Sequence, residues 1–272
     1  MAGQPNRNQL REWALFAERT ARSAGERILD ARSRQTVEIR AKRFGEVVTS
    51  ADYASDRLIR DEITRTYPSH EILSEETADH PWEGKGHSGP LWVIDPLDGT
   101  VNFAYGMPHF AISVAVAVEG QVQAGAVHAP DLDLTYVGIR GQGAVCNGTP
   151  IRVGVRTRLE ESVVGTGFPH NREGTEDALR RVEMLALHCR DIRRLAAPTL
   201  DICFVAQGRL DAHVESLAEW DIAASGLIAR EAGARMEHLR DVPEGMPPEL
   251  CGREIMFAAP GIALALLALL RG

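Results

Sequence analysis

The sequence predicts an α/β fold, and three observations carry that prediction. Amphipathic segments with apolar residues at helical spacing alternate with short β-branched runs bounded by turn residues. Hydrophobic residues make up 44% of the chain and charged residues 25%, which is the usual balance of a globular protein. The length of 272 residues allows one large α/β domain or two closely packed domain layers, with a sizeable core.

Five helices are predicted from apolar spacing and from end signals. The first covers residues 8–30, where apolar residues recur on one face. The second covers 52–67, with Thr49 or Ser50 as its N-cap and a proline directly after it. The others are predicted at 175–188, at 199–207 and from 221 to a glycine at 233.

The predicted strands are short apolar runs, of which LWVID and ISVAVAV are the clearest. A glycine-rich stretch at 138–150 follows a set of strands and contains the predicted hairpin GIRGQGA. We therefore expect an N-terminal part at 1–145 and a C-terminal part at 146–272, forming one compact unit. The strands are predicted at 71–73, 91–95, 111–118, 123–128, 134–139, 162–166 and 192–195.

The charge balance and the cysteines exclude several classes of protein. Thirty basic and 38 acidic residues give a net charge of −8 without a basic run, so no nucleic-acid partner is expected. The four cysteines form no C-x-x-C pair, which favours reduced thiols over a zinc knuckle or a disulfide framework. The N-terminus lacks a signal-peptide core and the longest apolar stretch is too short for a membrane span, so the expected location is cytoplasmic, with no membrane partner.

The segment WVIDPLDGTVNF at 92–103 carries the clearest candidate chemistry. Asp95 and Asp98 follow an apolar strand, and two carboxylates three residues apart at the end of a strand can face one divalent cation. Gly99 allows the backbone to approach an anion, and the amides of Gly99 and Thr100 can cradle a phosphate. The alternative is a solvated turn, since Asp-Pro and Asp-Gly both favour turns.

Two further acidic positions fit the same chemistry. Glu75 and Glu76 follow a short strand, from which adjacent side chains point to opposite faces, so that one can turn inward or both can form an exposed loop. Asp221 opens a predicted helix, where an ordinary N-cap aspartate would also lie. Together these carboxylates fit a Mg²⁺ site for phosphate-ester hydrolysis, because Mg²⁺ prefers hard oxygen donors and paired ions clamp an in-line displacement.

Three motifs, SEET, WVIDPLDGTVNF and EWDIAASGLIAREAG, resemble in order and spacing the metal-site motifs of the inositol monophosphatase family. The likeness extends to VVTSADYASD, GAVHAPDLDLTYVGIRGQGAVCNGTPI and QGRLDAHVE, and so covers nearly the whole chain. The resemblance implies a layered α-β-α-β-α sandwich, a homodimer, and lithium-sensitive, Mg²⁺-dependent hydrolysis of a small phosphate monoester. Metal-activated water would attack the phosphorus without a phosphoenzyme, and inositol 1-phosphate is the first expected substrate.

The resemblance also implies a set of metal ligands. Glu75, Asp95 and the carbonyl of Leu97 would hold one Mg²⁺, and Asp95, Asp98 and Asp221 would hold a second. Some family members use a third, looser ion near the glutamate. Two or three Mg²⁺ ions are therefore expected.

The implied catalytic residues lie beside these ligands. Glu75 and Thr100 would orient the attacking water, and Asp52 would accept a hydrogen bond from Thr100, so that the pair serves as a base relay. The amides of Gly99 and Thr100 would bind phosphate oxygens. Glu76 is expected to support its neighbour rather than to bind the metal.

On the substrate side the resemblance assigns Asp98, Glu215 and Ala197, and the sequence departs there from the family pattern twice. Glu215 precedes Asp221 by six residues, where the inositol enzymes usually have seven. In LAAPTLDIC, residues 196–198 replace the usual glycine, serine or threonine, and alanine. This change removes a hydroxyl and an amide donor, although proline also suits the first turn of a helix.

These departures leave the substrate open. Histidinol phosphate, fructose 1,6-bisphosphate and 3′-phosphoadenosine 5′-phosphate are alternatives, and a non-catalytic phosphate-binding or RNA-associated relative is an alternative of another class. Lys42 lies within a residue of the family's active-site lysine loop, or is an exposed cation. His213 shows no ligand spacing with the cysteines and is expected to be structural or exposed.

Overall fold

The structure is a computed structural model that describes residues 5–41, 47–77, 89–169 and 174–272. Lys42 lies outside these ranges, so its role stays a prediction. Within them, a two-stranded antiparallel ribbon is formed by β1 (Ile39–Ala41) and β2 (Val47–Thr49).

The larger sheet consists of β3 (Glu71–Ser74), β4 (Leu91–Asp98), β5 (Ala111–Val118), β6 (Gln121–Ala129), β7 (Leu134–Ile139), β8 (Gly143–Cys146) and β9 (Thr149–Pro150). Its spatial order follows the chain, and β3 and β4 are its parallel pair. The other neighbours are antiparallel. Both β4 and β5 are buried along their whole length, which explains their continuous apolar runs.

The smaller sheet consists of β10 (Val163–Thr166), β11 (Asp191–Arg193), β12 (Ala212–Glu215), β13 (Arg235–His238) and β14 (Ile255–Ala258). Its order is β11-β10-β12-β14-β13. The central strand β12 runs parallel to β10 and antiparallel to β14. Side chains along β12 therefore alternate between the two faces of a covered sheet.

The helices are α1 (Arg7–Ser33), α2 (Ser50–Thr66), α3 (Thr100–Ala104), α4 (Thr175–His188), α5 (Pro198–Ala206), α6 (Glu219–Glu231) and α7 (Pro260–Arg271). Helices α1 and α2 cover one face of the larger sheet, and α5 and α6 lie between the two sheets. Helices α4 and α7 cover the outer face of the smaller sheet. The predicted α-β-α-β-α sandwich is confirmed.

The middle layer explains why α5 has no amphipathic pattern. All its residues after Pro198 are buried, because one sheet covers each side of the layer. A helix that is apolar all round is a buried helix, and each large apolar side chain removed from water contributes about 1.5–3 kcal/mol. The outer layer instead places a single apolar stripe of α1 on the larger sheet, with Phe16 packed 5.0 Å from the ring of Trp92.

Most predicted elements are confirmed, and the differences have local causes. Thr49 is the N-cap of α2, while β4 runs three residues past its predicted end, through Pro96. The prediction omitted β12, β13 and β14, because four-residue strands carry little periodicity. It also omitted α7, whose apolar stretch was considered only as a membrane span.

Helices of the predicted C-terminal part help to cover the sheet of the N-terminal part. The division at residue 145 stays a prediction. All four cysteines are free thiols, as predicted, with three of them buried and Cys189 half-buried. In the part of the chain that the structure describes, no helix combines the length and the apolar character needed to cross a membrane.

Candidate metal centre

An irregularity in the pairing of β4 brings two aspartates together. Side chains three residues apart on a regular strand point to opposite faces. Asp95 pairs with Ser113 and Asp98 pairs with Ala111, so three steps on β4 correspond to two steps on β5. The extra residue forms a bulge next to Pro96, a position where a residue without an amide is tolerated. Both carboxylates can then face one space.

Asp221 enters the same space from the first turn of α6. Asp95, Asp98 and Asp221 each place one carboxylate oxygen within 4.8 Å of the other two. Asp95 and Asp98 are buried and Asp221 is half-buried. One oxygen of each carboxylate accepts a backbone N–H, from Leu97 to Asp95 at 3.0 Å, from Thr199 to Asp98 at 2.8 Å and from Ala218 to Asp221 at 2.8 Å.

These hydrogen bonds from backbone amides orient the aspartates, and two of them connect the site to the helices of the middle layer. The Thr199 amide belongs to the first turn of α5, and Ala218 is the N-cap of α6. Asp221 is the third residue of α6 and accepts the N–H of the N-cap Ala218, so it is not itself the N-cap that one interpretation of the sequence expected. This hydrogen bond at the start of the helix is compatible with a metal-binding role for Asp221.

The electrostatics of the cluster favour a bound cation. Burial raises the pKa of Asp98 to about 8 and raises the pKa of Asp95 and of Asp221 well above the ordinary value. The charge of Glu75 further raises the pKa of all three. A divalent cation would offset this repulsion, and a donor set made only of oxygens suits Mg²⁺ rather than a thiophilic metal.

Glu75 follows β3 directly, and its amide donates to the carbonyl of Ile94 on the neighbouring strand at 3.3 Å. Its side chain is half-buried, as is that of Glu76. The cluster of three oxygens found within the described ranges does not include Glu75, although its charge reaches each aspartate. The carbonyl of Leu97 accepts the Thr100 hydroxyl at 3.0 Å. The assignment of Glu75 and Leu97 as metal ligands, and of Glu76 as a support, stays a prediction.

Asp52 and Thr100 are in contact, as the resemblance implied. The Thr100 hydroxyl lies 2.9 Å from Asp52 Oδ1 and 3.0 Å from the Leu97 carbonyl, so its single proton has two acceptors. Asp52 is buried, and its Oδ2 accepts both the amide and the hydroxyl of Thr49 at 2.8 and 2.6 Å. Asp52 is thus held by the cap of α2 while it faces Thr100.

The loop between β4 and α3 requires glycine at position 99. Gly99 has φ +82°, and a Cβ there would lie 2.8 Å from the His109 carbonyl and 3.2 Å from the Ala197 methyl. Ala197 is fully buried beside this loop. Gly99 and Thr100 open α3, where amides have no partner within the helix. The geometry is compatible with the predicted phosphate contact.

The residue before Ala197 is strained. Ala196 has φ +61°, in the left-handed region that favours glycine, and it stands where the resemblance expected a glycine. Asn102 donates to the carbonyls of His109 and Leu195 at 2.6 and 2.7 Å, which ties the loop before α5 to the loop after α3. These contacts hold Ala196 in its strained conformation.

Glu215 ends β12 and lies next to two residues that sequence reasoning missed. His213 Nε2 is 3.3 Å from Glu215 Oε2, and His213 Nδ1 is 3.6 Å from Asp201 Oδ2. His213 is buried, so it is not the exposed histidine that the sequence allowed as one alternative. The packing of α5 against β12 creates this cluster, and no sequence pattern predicted that packing.

Comparisons with known proteins agree with this geometry. Residues 9–266 match the inositol monophosphatase family. A Nus factor SuhB of Pasteurella multocida is 39% identical over 221 residues, 80% of this chain and 82% of that protein. An inositol-1-monophosphatase of Rhizobium meliloti is 40% identical over 202 residues, 73% of this chain and 74% of that protein.

Solved structures give the same result. The native structure of the extragenic suppressor protein suhB from Bartonella henselae has a TM-score of 0.83 at 30% identity, covering 93% of this chain and 96% of that one. A Thermotoga maritima IMPase has a TM-score of 0.81 at 31% identity, covering 94% and 95%.

The fold and the acidic cluster define a member of a group of metal-dependent phosphatases and their relatives. The chain belongs to the inositol monophosphatase family. Relatives named as enzymes and relatives named as Nus factors are similarly close, so membership alone does not assign an activity. The Nus factor names also count in part against the expectation of no nucleic-acid partner.

Proposed function

We propose that this protein is a Mg²⁺-dependent phosphatase that acts on small phosphate monoesters. The observation that carries the proposal is the convergence of Asp95, Asp98 and Asp221, whose facing oxygens lie within 4.8 Å of one another. A backbone amide donates to each of the three carboxylates, so the cluster is oriented rather than merely acidic. Family membership supports the same chemistry.

The proposed ligands form two overlapping sets. Asp95, Asp98 and Asp221 would hold one Mg²⁺, and Glu75, Asp95 and the Leu97 carbonyl would hold another. When bound, Mg²⁺ lowers the pKa of water and offsets the negative charge of the phosphate. A third ion stays an expectation from the family.

Thr100, Asp52 and Glu75 are proposed to handle the proton of the attacking water. The Thr100 hydroxyl can pass its proton to Asp52 Oδ1, 2.9 Å away, while its oxygen accepts a proton from water. Two hydrogen bonds from Thr49 hold Asp52 in place for this transfer. Glu75 would orient the same water from the other side.

The substrate side is less determined than the metal side. The amides of Gly99 and Thr100 are proposed to bind phosphate oxygens, and Asp98, Ala197 and Glu215 to contact the rest of the molecule. Inositol 1-phosphate is the first substrate to test, and histidinol phosphate, fructose 1,6-bisphosphate and 3′-phosphoadenosine 5′-phosphate follow. Lithium inhibition and a homodimer are expected on family grounds alone.

The test is phosphate release from these four substrates, with and without Mg²⁺. We expect release from at least one substrate only when Mg²⁺ is present, and a loss of orders of magnitude in Asp95→Asn. Asp61→Asn is the matched control, because Asp61 is a largely exposed aspartate on α2. Equal release by wild type and Asp95→Asn would refute the proposed site.

A second candidate function is supported by the names of the relatives. Several relatives at 36–39% identity are each called Nus factor SuhB. A role of that kind would not require hydrolysis. Complementation of a Pasteurella multocida strain lacking its SuhB separates the two functions, since the Nus factor function predicts that Asp95→Asn complements as well as wild type.

A further inference from the structure

A buried row of three ionisable side chains ends at Glu215, on the predicted substrate side of the site. Asp201 comes from α5, whereas His213 and Glu215 come from the same face of β12. His213 and Asp201 are 1% and 2% exposed by their side chains, and Glu215 is 14% exposed. Only the Glu215 end of the row therefore reaches towards solvent.

Two glycines, one on the neighbouring strand β10 and one just beyond its end, make room for the row. Gly165 pairs with His213, and a Cβ at Gly165 would lie 2.7 Å from His213 Nδ1. A Cβ at Gly167 would overlap the Glu215 carboxylate. Larger side chains at these positions would displace His213 and Glu215, so the strand pairing fixes where both can lie.

The chemistry of the row fixes a proton on one ring nitrogen. Carboxylates only accept hydrogen bonds, so His213 Nε2, 3.3 Å from Glu215 Oε2, makes a favourable contact only as N–H. At the other nitrogen, 3.6 Å from Asp201 Oδ2, the proton can lie on either group. Burial raises the pKa of Asp201 to about 7, so Asp201 can hold it. In both arrangements Nε2–H faces Glu215.

Other charged groups surround the row. The charge of Arg194 acts on Asp201 from the segment before α5. The charge of Asp201 also acts on Asp98, and that of Glu215 acts on Asp221, so the row borders the acidic cluster. Within the described ranges, neither ring nitrogen of His213 has an aligned hydrogen bond, and Asp201 Oδ1 has none. A small rotation of Glu215 would align the contact at Nε2.

We propose that His213, supported by Asp201, is a positioning residue that directs the Glu215 carboxylate at a hydroxyl group of the substrate's leaving group. The proposal rests on the proposed phosphatase function. A hydrogen bond from Nε2–H to Oε2 holds one oxygen and leaves Oε1 for the substrate. This hydrogen bond offsets the entropic cost of ordering the long Glu215 side chain at the end of β12. Glu215 precedes Asp221 by six residues, one fewer than in the family pattern, and a hydrogen bond from His213 can set the position of its carboxylate despite this shorter spacing.

The kinetic test uses substrates with and without hydroxyl groups on the leaving group. For His213→Phe we expect the KM for inositol 1-phosphate to rise about tenfold, the value of one charge-assisted hydrogen bond, with kcat nearly unchanged. The KM for phenyl phosphate should not change. His213→Gln offers an amide donor in place of Nε2–H and should restore part of the affinity. His188→Phe, at an exposed histidine of α4, is the matched control. Equal effects on both substrates would overturn the proposal.

A second measurement does not depend on activity. In ¹⁵N-histidine spectra of the protein at pH 7, the His213 resonance, assigned by its loss in His213→Gln, should show a protonated Nε2. An unprotonated Nε2 would overturn the proposal. A wild type that hydrolyses none of the substrates would refute the proposed function, while the spectrum would still decide whether His213 donates to Glu215.

Discussion

The hydroxyl of Thr100 lies 2.9 Å from Oδ1 of Asp52, across the gap between the start of α3 and the first turn of α2. Asp52 also completes the capping box of α2 with Thr49. One carboxylate thus stabilises a helix end through Oδ2 and contacts the candidate site through Oδ1. The predicted relay is built on a rigid local structure.

Thr100→Ala removes the hydroxyl from this relay. We expect kcat to fall roughly 100-fold, the lower end of what a positioned proton acceptor contributes, while the protein still binds Mg²⁺. Thr100→Ser keeps the hydroxyl and should retain most of the turnover. Steady-state kinetics for the three proteins check this, and an unchanged kcat in Thr100→Ala would remove Thr100 from the mechanism.

Mg²⁺ should stabilise the protein against heat. A ligand that binds only the folded state adds about 2.7 kcal/mol at a concentration 100 times its Kd. Asp95→Asn should lose that stabilisation, and without metal it should unfold at a higher temperature than wild type, because one buried carboxylate is replaced by a neutral amide. Thermal unfolding with and without Mg²⁺ measures both effects. A metal-induced shift of the same size in Asp95→Asn would show that the ion binds elsewhere.

Ala196→Gly should relieve backbone strain. Ala196 has φ +61°, where an L side chain costs about 1–2 kcal/mol, and the greater freedom of glycine in the unfolded chain offsets part of the gain. We expect the free energy of unfolding to rise by up to about 1 kcal/mol. Ala197→Gly is the control, because Ala197 has φ −146° and a fully buried methyl group, and it should destabilise. Denaturant unfolding compares them, and the opposite order would contradict the strain.

His128 should make stability depend on pH. Its ring is buried against Gly25 of α1, its Nδ1 lies 2.8 Å from the Thr135 hydroxyl, and burial, with a smaller effect of Arg22, lowers its pKa to about 4. The unfolded chain takes up this proton near pH 6.5, so stability is full above that pH and falls as pH drops towards 4.

The contribution of His128 can be isolated with one variant. Between pH 7 and pH 4 wild type should lose up to about 3 kcal/mol more than His128→Gln, since each unit of pKa shift corresponds to about 1.4 kcal/mol. Urea unfolding at several pH values gives this difference. Parallel pH profiles for the two proteins would show that His128 does not titrate as its burial implies.

The sequence predicted the layers and the cluster of three aspartates better than the predicted substrate side. Motif spacing located Asp95, Asp98 and Asp221, and apolar periodicity located the longer helices and strands. The sequence could not show that a bulge in β4 turns Asp95 and Asp98 to one side, because the register of a strand depends on its partner strand. The Asp201–His213 contact was missed because it joins a helix and a strand that only packing brings together.

The most direct test of the account is phosphate release from inositol 1-phosphate, measured against Mg²⁺ concentration for wild type and Asp221→Asn. The amide of asparagine keeps an oxygen for the Ala218 N–H and removes the charge from the cluster. We expect saturable, Mg²⁺-dependent release by wild type, and for Asp221→Asn a rate lower by orders of magnitude. Release by wild type that does not depend on Mg²⁺, or that persists in Asp221→Asn, would contradict the assignment of the three aspartates as the metal centre.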